Sequence, residues 1–143
     1  MKLRTASEAL RFIAELEETA AAFYEELARR LPAQADPFLG WAKENRRFVR
    51  EVQRTYQSAI TDALEGCFAF DLDTDRFVVN AELPPGAAEA EAAAAALSLE
   101  RQLLGLYGAA TEQAGALLAD LPRTFRMIAK KRQGRLERLA LLK

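Results

Sequence analysis

Two glutamates stand in the same local frame on two separate apolar runs: Leu16-Glu17 is followed by Tyr24, and Leu99-Glu100 by Tyr107. A carboxylate on the buried stripe of a helix is costly unless a metal, a cation or hydrogen-bond donors compensate it. Paired buried acids therefore hold metal ions, exchange protons or meet arginine. Four further residues decide between these. At roughly 100° per residue, Asn45 falls at the centre of an apolar arc that also holds Phe48, and Arg132 and Arg135 fall within a second arc near the C-terminus.

The composition narrows the chemistry further. There is no histidine, which removes His triads, His general bases and metal sites that need imidazole. A net charge of −1 gives no long-range attraction to nucleic acid or to an anionic membrane, so neither is expected as a partner. The basic residues after Arg123 read as a solvated helix face. The single Cys67 excludes an intramolecular disulfide, and no apolar run has the length and flanks of a signal peptide or a membrane span. The expectation is one soluble, cytoplasmic domain over residues 1–143.

Four helices must position the constellation. Thr5 and Glu8 have capping-box spacing, and the periodic apolar residues that follow predict a first helix from Ala6 to Leu31. Asp36-Pro37 reads as an N-cap with proline after it, opening a second helix that runs to Gly66. A third helix is predicted from Ala87 to Ala119. Asp120-Leu121-Pro122 reads as a break before a fourth, Arg123 to Leu142. Between the second and third helices, Phe68 to Leu72 and Arg76 to Val79 read as two short strands turned by Asp73-Thr74-Asp75. The expected fold is all-α: two helical hairpins joined by a long crossover that carries a short β-hairpin.

The two hairpins repeat one another. Glu17 and Tyr24 map onto Glu100 and Tyr107 at one offset, and Trp41-Ala42-Lys43 maps onto Ile128-Ala129-Lys130 at a slightly larger one. With these residues, and with Trp41 to Phe48 and Ile128 to Arg135 on the second and fourth helices, the chain resembles the rubrerythrin branch of the ferritin-like family over almost its whole length. In that family two helices each give one glutamate and two each give a Glu-x-x-His pair, which together hold two iron ions for peroxide or oxygen chemistry. The resemblance implies a ferritin-like four-helix bundle, iron, a homodimer, and tyrosines such as Tyr24 and Tyr107 near the site. Glu17 and Glu100 match the single glutamates. Asn45 with Phe48, and Arg132 with Arg135, occupy the Glu-x-x-His places, so four of the six ligands are replaced.

Three arrangements fit these residues. Glu17 and Glu100 pair with Arg132 and Arg135 in a neutral buried network; or the two acids join Glu18, Glu44 or Glu112 in an all-oxygen metal site; or both arginines reach out to solvent. The rule that buried charges are paired favours the first. It implies no catalytic residue, no cofactor and no metal, with Tyr24 and Tyr107 as core aromatics. The function it implies is a non-catalytic structural or partner-binding module of unidentified partner, with the crossover hairpin as a contact surface. The alternative is an iron-binding oxidoreductase whose metal, if any, is held by Glu17 and Glu100. Asp71, Asp73 and Asp75 also have the spacing of a calcium loop, but Arg76 stands where glycine is needed, which favours an acidic turn.

Overall fold

The computed structural model describes residues 2–60, 69–77, 79, 81–114 and 120–141. Among them run β1 (Lys2–Thr5), α1 (Ala6–Arg30), a 3-10 turn (Pro32–Gln34), α2 (Ala35–Ile60), β2 (Ala69–Asp73), a second 3-10 turn (Thr74–Phe77), α3 (Glu89–Ala114) and α4 (Asp120–Ala140). The chain is mostly helical, with one two-stranded sheet. The all-α class expected from the sequence holds.

Helix α1 starts where its cap dictates. Thr5 Oγ1 accepts from the Glu8 amide at 3.1 Å while Glu8 Oε1 accepts from the Thr5 amide at 3.2 Å, which satisfies two otherwise orphaned donors. Three expected starts shift, with α3 beginning at Glu89 rather than Ala87. Asp36 lies inside the first turn of α2 rather than at its cap, because the 3-10 turn has already brought the chain to helical geometry at Ala35. Asp120-Leu121-Pro122 opens α4 instead of breaking the chain: proline in the first turn removes only an amide without an intrahelical partner. Leu121 and Pro122 are buried there.

The expected β-hairpin within the crossover is not what forms. Strand β2 pairs antiparallel with β1 at the N-terminus, with Leu3 opposite Leu72 and both buried. The segment expected as its partner strand begins instead as the 3-10 turn, where Asp73 Oδ1 accepts from the Asp75 amide at 3.1 Å. A short acid that captures a nearby backbone amide stabilises a turn at the expense of a ladder. The other edge of β2 meets the Gln113 side chain of α3, which accepts from the Asp71 amide at 2.6 Å and donates to its carbonyl at 2.8 Å. That amide closes an edge that would otherwise invite another strand. Cys67, Phe68 and the expected helix end at Gly66 lie outside the described residues.

Side-chain pairs fix the helix directions. Ser7 meets Tyr56 while Arg46 bonds Glu18 and Glu25, so α1 and α2 are antiparallel. Glu100 meets Arg132 while Tyr107 packs on Phe125, so α3 and α4 are antiparallel. Tyr24 meets Glu100 while Glu17 lies beside Tyr107, so α1 and α3 are antiparallel as well. Helices α2 and α3 therefore run the same way. The segment joining them must travel back along the bundle, a distance of about 39 Å for the 26 residues of α2.

Thr5→Ala removes the Oγ1 acceptor of the Glu8 amide while the Thr5 amide keeps its bond to Glu8 Oε1; it is expected to lower stability by about 1 kcal/mol, read as a shift in the urea midpoint with the slope unchanged. A midpoint equal to the parent's would mean that the cap contributes nothing.

Candidate functional site: a buried glutamate–arginine core

Each helix supplies one face to a single polar cluster. Glu17 comes from α1, Asn45 and Phe48 from α2, Glu100 from α3, and Arg132 and Arg135 from α4, and all six are buried. The apolar neighbours of these residues, among them Ile13, Leu27, Leu99, Leu103 and Ile128, hold them there by the helical period of each stripe. The structure thus brings together Glu17, Asn45, Phe48, Glu100, Arg132 and Arg135, with Tyr24 and Tyr107 beside them.

Glu100 is the hub. It accepts from the Tyr24 hydroxyl at 2.6 Å, from Arg132 Nη1 at 2.7 Å and from Arg135 Nη1 at 2.9 Å. Arg132 turns its other terminal nitrogen to Glu17 and bridges the two carboxylates. Arg135 also donates to Asn45 Oδ1 at 2.6 Å, to Glu44 Oε1 at 2.8 Å and to the Trp41 carbonyl at 3.4 Å. Both side chains of α4 are enclosed, Arg132 fully and Arg135 at 3% exposure, so the arrangement with solvent-exposed arginine heads is excluded.

Aromatic rings wall the charges. The Arg132 guanidinium lies 5.4 Å from the Phe48 ring centre and 5.6 Å from that of Tyr107. Arg135 lies 5.3 Å from Phe48, 5.4 Å from Trp41 and 5.7 Å from Tyr24. A cation against a desolvated ring face gains on the order of 1–2 kcal/mol, which offsets part of the cost of removing guanidinium from water. Phe48 thus has a role that the sequence reading left empty.

The two halves are compensated unequally. Burial pushes the Glu17 carboxyl up, and the Arg132 charge offsets this only in part. Burial acts the same way on Glu100, but the charges of Arg132 and Arg135 with the Tyr24 hydrogen bond outweigh it, and its carboxyl lies below the ordinary value. Tyr107 lies beside Glu17 as Tyr24 lies beside Glu100, yet neither its hydroxyl nor Glu17 Oε2 closes a hydrogen bond. Burial, then the adjacent carboxylate, push both phenols well above their usual range. Desolvation works against the Arg132 charge, but the two carboxylates outweigh it and hold the guanidinium protonated.

The other candidate acids lie elsewhere. Glu18 bonds Arg46 on the outside of the α1–α2 pair, and Glu112 is exposed. Among the described residues no three acidic or thiol side chains are placed to share a metal ion. Glu44, considered only as an oxygen ligand, instead holds Arg135 and lies 3.9 Å from Lys131. Its position one residue before Asn45 was the available signal. Trp41 was read as core, and its carbonyl and ring both contact Arg135.

What this arrangement does is mechanical and electrostatic. Arg132 joins α4 to α1 and α3, and Arg135 joins it to α2 and α3, so two side chains of one helix tie it to the other three. The fold and site define an all-α protein with a buried Glu–Arg core. No protein-family model, no curated protein and no solved structure matches the chain. Among the described residues no helix is long and apolar enough to cross a membrane.

Glu100→Gln breaks the better-compensated partner and is expected to cost about 3–5 kcal/mol, as for a buried ion pair left with unpaired charge. Glu17→Gln is expected to cost less. The pH dependence separates them. The Glu100 contribution is complete above the unfolded value near 4.5 and is lost as pH falls through the lower folded value. Glu17 acts oppositely: its contribution is present below that value and is lost as pH rises through the raised folded value. Urea unfolding of both variants between about pH 3 and pH 8 reads this directly; identical pH profiles would contradict the assigned asymmetry.

Proposed function

We propose that this chain is a rubrerythrin-like member of the ferritin-like family whose di-iron centre has been replaced by arginine, and that it acts as a non-catalytic structural or partner-binding module in the cytoplasm. The observation that carries the reading is the pairing of Arg132 and Arg135 with the two glutamates that match the family's single-glutamate ligands. Helix directions that force a long α2–α3 crossover support the same architecture.

The donor set argues against a pair of iron ions. Two carboxylates are engaged by two guanidiniums, Asn45 offers one amide oxygen already bonded to Arg135, and Phe48 offers none. A divalent cation placed between Glu17 and Glu100 would meet Arg132 within contact distance of both acids, and like charges at such range repel strongly in a dry core. Guanidinium does not surrender its proton to relieve this. The homodimer rests on the resemblance, and the partner is to be found by experiment.

Metal content after anaerobic Fe²⁺ reconstitution tests the reading. The parent is expected to hold no stoichiometric iron, and Arg132→Glu with Arg135→His is expected to gain Fe²⁺ affinity. Stoichiometric iron in the parent that is lost in both Glu17→Ala and Glu100→Ala would overturn the proposal in favour of an iron-binding oxidoreductase. No gain in the double variant would count against the ligand register.

A further inference from the structure

Where the start of α2 meets the end of α4, Ala33, Gln34, Pro37, Phe38, Trp41 and Arg138 line a pocket of about 250 Å³. Its wall is aromatic: Phe38 is buried, Trp41 is half-buried, and their rings pack edge to face at 5.7 Å. Behind them Tyr24 stacks on Phe38 at 6.0 Å, so the wall is backed by core. Arg138 stands at the rim, exposed, and its guanidinium makes no ion pair or hydrogen bond among the described residues. Gln34 donates its amide nitrogen to Glu89, which turns the amide oxygen away from that acid, and this oxygen is buried without a partner. The acids adjacent in sequence to its lining, Asp36 and Glu137, do not themselves line the pocket.

We propose that this pocket binds a small carboxylate with an apolar body of one ring or a short chain. The volume lies below the roughly 300–1,000 Å³ of pockets that take larger ligands, which limits the body to about that size. Apolar atoms seat against Trp41, Phe38 and Pro37, and the carboxylate meets Arg138, whose planar fork suits two carboxylate oxygens. The inference is independent of whether the core ever held iron.

Trp41 is the only tryptophan, so its fluorescence reports on the pocket directly. Cyclohexanecarboxylate is titrated to about 20 mM into the full chain, beside its neutral isostere cyclohexylmethanol and beside the variants Arg138→Gln and Ala33→Phe. The proposal expects a saturable change with the carboxylate, weaker binding of the alcohol, about tenfold weaker binding to Arg138→Gln, and none to Ala33→Phe, which fills the space. No saturable change in the parent overturns it. So does equal response to acid and alcohol, or equal affinity in Arg138→Gln. Should Arg138→Gln fail to fold, the alcohol comparison and Ala33→Phe decide alone.

Discussion

Removing an ion from water costs several kcal/mol even after the protein relaxes, and this chain buries two carboxylates and two guanidiniums at one level of its bundle. The fold is viable because the charges cancel locally and because most of their polar atoms find donors, acceptors or ring faces. Every helix contributes to that cancellation, so none can slide by a turn without stranding a charge. The Coulombic gain is not a large source of net stability, since a well-packed apolar replacement of such a network is often as stable. What the network supplies is register: α4 fits against the other three helices in one position.

The internal repeat explains why the core is both symmetric and lopsided. Glutamate and tyrosine recur in each hairpin, and each tyrosine lies beside the other half's glutamate. The second and fourth helices align at Trp41-Ala42-Lys43 and Ile128-Ala129-Lys130 but differ in the core: α2 brings Asn45 and Phe48, and α4 brings both cations. Arg135 leans towards α2, α3 and Glu44, which leaves Glu17 with Arg132 alone. Burial consequently wins at Glu17, whose carboxyl is pushed above its ordinary value, and loses at Glu100, whose carboxyl is held below it. Two hairpins that share glutamate and tyrosine thus differ at Asn45 and Phe48 against Arg132 and Arg135, and that difference makes the core asymmetric.

Much of this was legible in the residue order, because helical period and capping are local. Thr5 and Glu8 announced the start of α1, and the apolar arcs placed all six polar and aromatic core residues before any coordinates. Pairing across the chain is not local, and residue order does not mark it. Leu3 in β1 takes Leu72 as its partner across the whole α1–α2 hairpin, a contact that no turn signal marks. Asp73 to Asp75 turn the chain as their residue types indicate, but Arg76 and Phe77 continue the turn instead of opening a strand. Proline at 122 looked like an end and proved a beginning, since the first turn of a helix has amides to spare.

Glu100 and Arg132 act as one unit, and a double-mutant cycle measures that directly. Glu100→Gln, Arg132→Met and the double variant are compared by urea unfolding at neutral pH. The double variant is predicted to be less destabilised than the sum of the single ones by about 1.5 kcal/mol or more, the range for contacting residues in one network. Additivity to within about 0.5 kcal/mol would mean the two residues do not compensate one another, and the account of the core would be wrong.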